Sequence, residues 1–231
     1  DKINLAFAFV MGEKTEDGNP NSSNTGKQKE RFIANAEWAQ VAYNGEDINF
    51  NGILDEGEDR DGDGQITRFI LPSPPDAPRF RAIPGNHKID LYWSSNSESS
   101  VDPITQDLDF EGYRIYLSKL GFDVEGTQNL SSDFIRAAEF DLIGNGLFYE
   151  TGMDDIKLST PIFFTGDSVS YNYHYEIDNL PNGWQHAVAI TAFDRGNEAT
   201  KLESLESSFL ANDIRAFTGT PPTLSMQTHP P

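Results

Sequence analysis

"DFEGYRIYLSK", residues 109–119, sets Tyr113, Ile115 and Leu117 on one face of an extended chain against Arg114, Tyr116 and Ser118 on the other. Successive side chains of a strand point to opposite faces, so this alternation predicts a half-buried β-strand. The pattern recurs on both sides. Upstream, "RFRAIPG" (79–85) alternates, and "HKIDLYWSS" (87–95) places Ile89, Leu91 and Trp93 on one face. Downstream come "FIRAAEFDLI" (134–143), "VSYNYHYEIDNL" (169–180), "WQHAVAITAFD" (184–194) and "SSFLANDIRAFTG" (207–219). The turn formers Pro84-Gly85, Asn145-Gly146 and Asn182-Gly183 separate these runs. About seven short strands without helical crossovers predict a mainly β chain, an antiparallel β-sandwich over residues 71–219. The span from about 119 to 170 exceeds what a minimal sandwich needs. It is expected to form an extra hairpin or a long excursion, and so offers a candidate contact surface.

Composition fits one large domain or two small ones. The chain has 231 residues, 37% hydrophobic and 12% aromatic, too apolar for a disordered chain. Its formal net charge is −20, with a pI near 4.3. So acidic a surface repels phosphate backbones and anionic membranes, which argues against nucleic acid as a partner and favours divalent cations. The absence of cysteine excludes disulfides, thiolate zinc sites and a cysteine nucleophile. The longest apolar run, "INLAFAFVMG" (3–12), is too short for a membrane span and lacks the basic start of a signal peptide.

The first 46 residues read as a strand and a helix. Residues 3–11 are apolar on both faces and are expected to form a buried strand, paired within the chain or added to the sheet edge of another subunit. "EDGNPNSSNTG" (16–26) is a loop. "TGKQKERFIANAEWAQVAYNG" (25–45) reads as a helix, with Thr25 and Gln28 as a capping box and Phe32, Ala36, Ala39 and Tyr43 on one face. Asn44-Gly45 ends it. The proline-rich "LPSPPDAP" (71–78) leads into the sandwich, and the tail, 220–231, reads as a linker.

Between helix and prolines lies "DINFNGILDEGEDRDGDGQIT" (47–67), an acidic stretch with calcium-loop spacing. Asp47, Asn49, Asn51, Gly52 and Glu58 match D-x-[DN]-x-[DN]-G-x5-E at each position. Alternate side chains of a tightly curled loop converge on one ion, and glycine at the sixth position permits the turn. Ile53 would offer its carbonyl at position 7, and Asp55 would bind at position 9 directly or through water. A second frame follows with Asp59, Asp61, Asp63 and Gly64, then Gln65 for the carbonyl and Thr67 at position 9. Its twelfth residue is Ile70, which cannot ligate, so the second site is incomplete unless Glu56, Glu58 or a residue of the sandwich lends an oxygen. Calcium fits these sites better than magnesium, which demands a smaller octahedral shell. The competing reading is a solvated acidic linker. With an ion, residues 47–70 become a rigid joint between the N-terminal segment and the sandwich.

The stretches "PPDAPRFRAIPGNHKIDLYW", "DFEGYRIYLSK" and "DNLPNGWQHAVAITAFDRG" together resemble a fibronectin type III domain over about residues 72–217. The variety they resemble belongs to large secreted or cell-surface proteins of Bacteroidetes-related bacteria, many exported by the type IX route. The two acidic frames resemble the EF-hand-like loops of dockerin modules and thrombospondin type 3 repeats. The resemblance implies Trp93 as the core tryptophan, with Tyr113 and Ile115 pointing inward. Where the family often carries the tyrosine of the tyrosine corner, this chain has His186. It also implies a non-catalytic, extracellular structural or adhesion module, with protein partners or self-assembly at the cell surface.

No catalytic signature competes with that expectation. His87, His174, His186 and His229 form no H-E-x-x-H motif, and there is neither a G-x-S-x-G elbow nor a phosphate loop. Asn21 and Asn129 begin N-x-S sequons. Trp184, beside Asn182-Gly183, is the best exposed aromatic for stacking on a sugar, so the alternative function is a carbohydrate-binding accessory module of a secreted enzyme.

Overall fold

A computed structural model describes residues 8–11, 26–104, 106–119, 133–197, 202–219 and 226–228. The chain divides into two compact units. One comprises 1–73 with 102–106 and 197–203, and the other 74–101, 107–196 and 204–231. Two short segments inside the sequence range of the sandwich thus group with the N-terminal unit.

The second unit is a β-sandwich. Its strands are β1 (Phe80–Gly85), β2 (Lys88–Trp93), β3 (Phe110–Lys119), β4 (Ile135–Asp141), β5 (Lys157–Ile162), β6 (Tyr171–Ile177), β7 (Gln185–Asp194), β8 (Asp213–Phe217) and β9 (Met226–Thr228). One sheet has the order β1-β2-β6-β5 and the other β4-β3-β7-β8-β9. The pairings are antiparallel, from Phe80 opposite Trp93 in the first sheet to Lys119 opposite His186 in the second.

The alternation read from the sequence places the core. Ile89, Leu91 and Trp93 of β2, Tyr113 and Ile115 of β3, and Val188, Ile190 and Ala192 of β7 are buried together. Burying side chains of this size stabilises by about 1.5–3 kcal/mol each. The Trp93 ring stacks on Tyr173 at 5.5 Å and meets the edge of Tyr113 at 5.7 Å. The two phenols donate to one acceptor, Glu98 Oε1, at 3.2 and 2.7 Å, from the 3-10 turn Asn96–Ser99. Burial and that carboxylate push both hydroxyls well above their ordinary pKa.

β7 is buried along its whole length, His186 included, because its outer face is covered too. There Arg114 lies 3.8 Å over the Phe193 ring and bridges Glu139 and Glu206 at 2.7 and 2.6 Å. Thr191 Oγ1 also donates to Glu206.

The structure departs from the sequence reading in the connections. The span 119–170 carries a strand not read from the sequence, β5, on a sheet edge where Pro161 is tolerated. The loop after β4 is built on buried Asp141, which accepts the N–H groups of Tyr149 and Glu150 at 2.7 and 2.9 Å, and that of Thr151. The tail is not wholly a linker, since β9 pairs with β8.

In the N-terminal unit the helix forms as α1 (Gly26–Asn44). Its buried residues are Ala34, Ala42 and Asn44, with Trp38 half-buried, whereas Phe32 and Ala36 of the expected face are exposed. Thr25 lies outside the described residues. So does most of the expected strand 3–11. Its described part, 8–11, is not a strand, Phe9 is 90% exposed, and the Met11 carbonyl accepts from Asn35 of α1. No helix among the described residues is long and apolar enough to cross a membrane.

Candidate metal centre

The helix end determines where the acidic stretch begins. Gly45 stops α1 with a left-handed φ of +61° and donates to the Val41 carbonyl at 2.9 Å. A Cβ at Gly45 would lie 2.0 Å from the Thr67 carbonyl oxygen, so only glycine lets the two backbones meet. The next N–H, of Glu46, donates to that same oxygen at 3.0 Å. Tyr43 closes the contact, with Phe69 edge-on at 5.6 Å and Arg68 over its ring at 5.0 Å. The start of the first frame is thereby held against the end of the second.

Both frames fold into the same loop. Left-handed φ values occur at position 4 (Phe50 +64°, Gly62 +75°), position 6 (Gly52 +77°, Gly64 +74°) and position 11 (Gly57 +89°, Phe69 +62°). The hydrogen bonds repeat as well. The N–H at position 6 donates to the aspartate at position 1, Gly52 to Asp47 at 2.8 Å and Gly64 to Asp59 at 3.1 Å. Position 5 donates to position 3, Asn51 to Asn49 at 3.0 Å and Asp63 to Asp61 at 3.1 Å. Position 7 donates to position 5, Ile53 to Asn51 and Gln65 to Asp63, both at 2.7 Å. The third and ninth side chains also meet, as Asn49 with Asp55 at 2.7 Å and Thr67 with Asp61 at 3.0 Å.

Each loop is closed by a buried glutamate. In the first loop Glu58 accepts the N–H of Ile48 on Oε1 and of Asp55 on Oε2, both at 2.9 Å. In the second, Arg60 and Thr67, at the same positions 2 and 9, donate at 2.9 and 2.8 Å to Oε1 and Oε2 of Glu46. Spacing alone points to Glu56, Glu58 or the sandwich for this partner. The structure places it before the first loop, at a residue that is 1% exposed. The signal was available, because Gly-Glu-Asp occurs at 45–47 and again at 57–59, one loop length later.

The loops differ in charge. In the first, the amides of Asn49 and Asn51 both donate to Asp55 Oδ2 at 2.7 Å, which holds that carboxyl below its ordinary pKa. In the second, positions 3 and 5 are Asp61 and Asp63, which when ionised have no proton to give. Asp47 Oδ1 accepts from Asn51 at 3.0 Å, whereas its counterpart Asp59 Oδ1 is buried without a hydrogen-bond partner. Glu46, Asp59 and Asp61 each offer an oxygen within 4.8 Å of the others. An orphaned anionic oxygen among all-oxygen donors fits a hard divalent cation. Arg60, between two of these aspartates in sequence, turns away and donates to the Pro103 carbonyl at 2.7 Å.

The remaining candidates lie in the sandwich. Trp184 precedes β7 and is 45% exposed. His174 pairs with Asp90 at 3.0 Å and stacks on Tyr92 at 4.6 Å, as a strand-face residue does.

No known family matches the chain, and no curated protein does. Among solved structures, one match is titled "Structure of Astrotactin-2, a conserved vertebrate-specific and perforin-like membrane protein involved in neuronal development". It is 14% identical, with 84% of this chain and 30% of that one covered, at a TM-score of 0.33, a likeness too slight to carry an argument.

Proposed function

We propose that residues 46–67 bind calcium and that the chain is a calcium-stabilised, non-catalytic extracellular module with a structural or adhesive role at a cell surface. The observation that carries the reading is the duplicated loop, whose two copies share turn positions, hydrogen bonds and a buried closing glutamate. Asp47, Asn49, Asn51, Asp55 and Glu58 would hold one ion, with the Ile53 carbonyl. Asp59, Asp61, Asp63 and Thr67 would serve the other, with the Gln65 carbonyl. The two asparagines reach this role by turning their amides so that oxygen faces the ion. The sandwich would be of the fibronectin type III and immunoglobulin kind. Its strand orders, β1-β2-β6-β5 against β4-β3-β7-β8, support this by following the A-B-E-D and C′-C-F-G arrangement of such domains.

Calorimetry with calcium and then with chelator tests the reading. Calcium should raise the melting temperature of the wild type and raise that of Asp47→Ala/Glu58→Ala by less. A wild type indifferent to chelator would overturn it. Sedimentation with and without calcium tests self-assembly, which should strengthen when the ion is present. The exposure of Trp184 supports a second reading, a carbohydrate-binding module. Glycan binding that is lost in Trp184→Ala would favour it.

A further inference from the structure

The two loops interlock. Glu58 closes the first and is followed directly by Asp59, which opens the second. Glu46 makes the same pair of bonds to the second and is followed directly by Asp47, which opens the first. Two dipeptides, Glu46-Asp47 and Glu58-Asp59, therefore each serve both loops.

Resting on the calcium reading above, we propose that Glu46 is the closing ligand of the second ion, in place of the apolar Ile70, and that the two sites fill interdependently. Two facts carry this beyond the presence of acidic residues. Glu46 is a fully buried carboxylate with one N–H on each oxygen, while an ionised carboxylate has about four acceptor sites. Beside it, Asp59 Oδ1 is buried with no donor, although the equivalent oxygen of the first loop has one. A buried anionic oxygen left in that state is costly, and a cation shared with Glu46 removes the cost. Ordering Glu46 on the second ion fixes the peptide that delivers Asp47 to the first.

Isothermal titration with calcium chloride on the full chain tests the proposal. The wild type should take two ions. Glu46→Gln should take one and hold it about tenfold or more weakly, as when a supporting partner of a metal ligand is lost. Glu56→Gln should still take two. Two ions at wild-type affinity in Glu46→Gln would overturn the proposal and leave calcium binding intact. No binding by the wild type would overturn both. To guard against a misfolded variant, the carboxylate carbon resonance of Glu46 is followed in the wild type during the same titration. It should move in step with the Gly64 amide, and a Glu46 signal that stays still while Gly64 moves would overturn the assignment.

Discussion

The sandwich and the acidic loops are closed with opposite materials. The sandwich closes on Trp93, Tyr113, Tyr173 and their aliphatic neighbours, and the two buried phenols are tied to Glu98. The loops close on Glu46 and Glu58, buried carboxylates that accept backbone N–H groups where a core would put a leucine. Apolar burial holds in any aqueous buffer. A carboxylate core accumulates like charge and becomes favourable when a cation neutralises it. One region should therefore be indifferent to dissolved ions and the other governed by them.

The largest expected effect strikes the sandwich. Trp93→Ala should cost about 3–5 kcal/mol in chemical denaturation, equally in calcium and in chelator. A loss that calcium repairs would break the contrast. Next comes the ion itself. The first ion bound, at a hundredfold excess over its dissociation constant, should stabilise by about 2.7 kcal/mol, read as a rise in melting temperature. Gly45→Ala follows, because it forces a left-handed residue against the Thr67 carbonyl. It should destabilise by more than about 1 kcal/mol and weaken calcium binding, by separating Glu46 from the second loop.

The contrast extends to pH. Asp55 is held below the ordinary carboxylate value by the Asn49 amide first and Asn51 second. Its support is therefore present above the unfolded value and is lost as pH falls through the lower folded one. Carboxylate-detected titration of the calcium-free protein should place its midpoint below the ordinary aspartate value of 3.8. A midpoint at or above that value would contradict the bonding described. The smallest effect belongs to Trp184→Ala, which should leave stability within about 0.5 kcal/mol of wild type.

What the sequence disclosed followed the strength of its periodic signals. Tyr113, Ile115 and Leu117 alternate cleanly, and β3 lies where they put it. β5 escaped notice because an edge strand buries little, and "KLSTPI" shows neither alternation nor freedom from proline. The helix was recognised but its face was not, because its buried apolar residues, Ala34 and Ala42, are small and carry a weak hydrophobic signal beside Phe32. The loops were legible through glycine and carboxylate spacing. Glu46 showed only in the repeat of Gly-Glu-Asp at 45–47 and 57–59, because it closes a loop that begins thirteen residues later in the chain, a contact made by folding back.

Amide hydrogen exchange in calcium and in chelator tests the central claim most directly, since it reads both regions of one molecule at once. The account predicts that chelator speeds exchange at Gly52, Asp55, Gly64 and Thr67 and leaves the amides of β3 and β7 unchanged. Identical exchange in the two buffers at those four residues would contradict it.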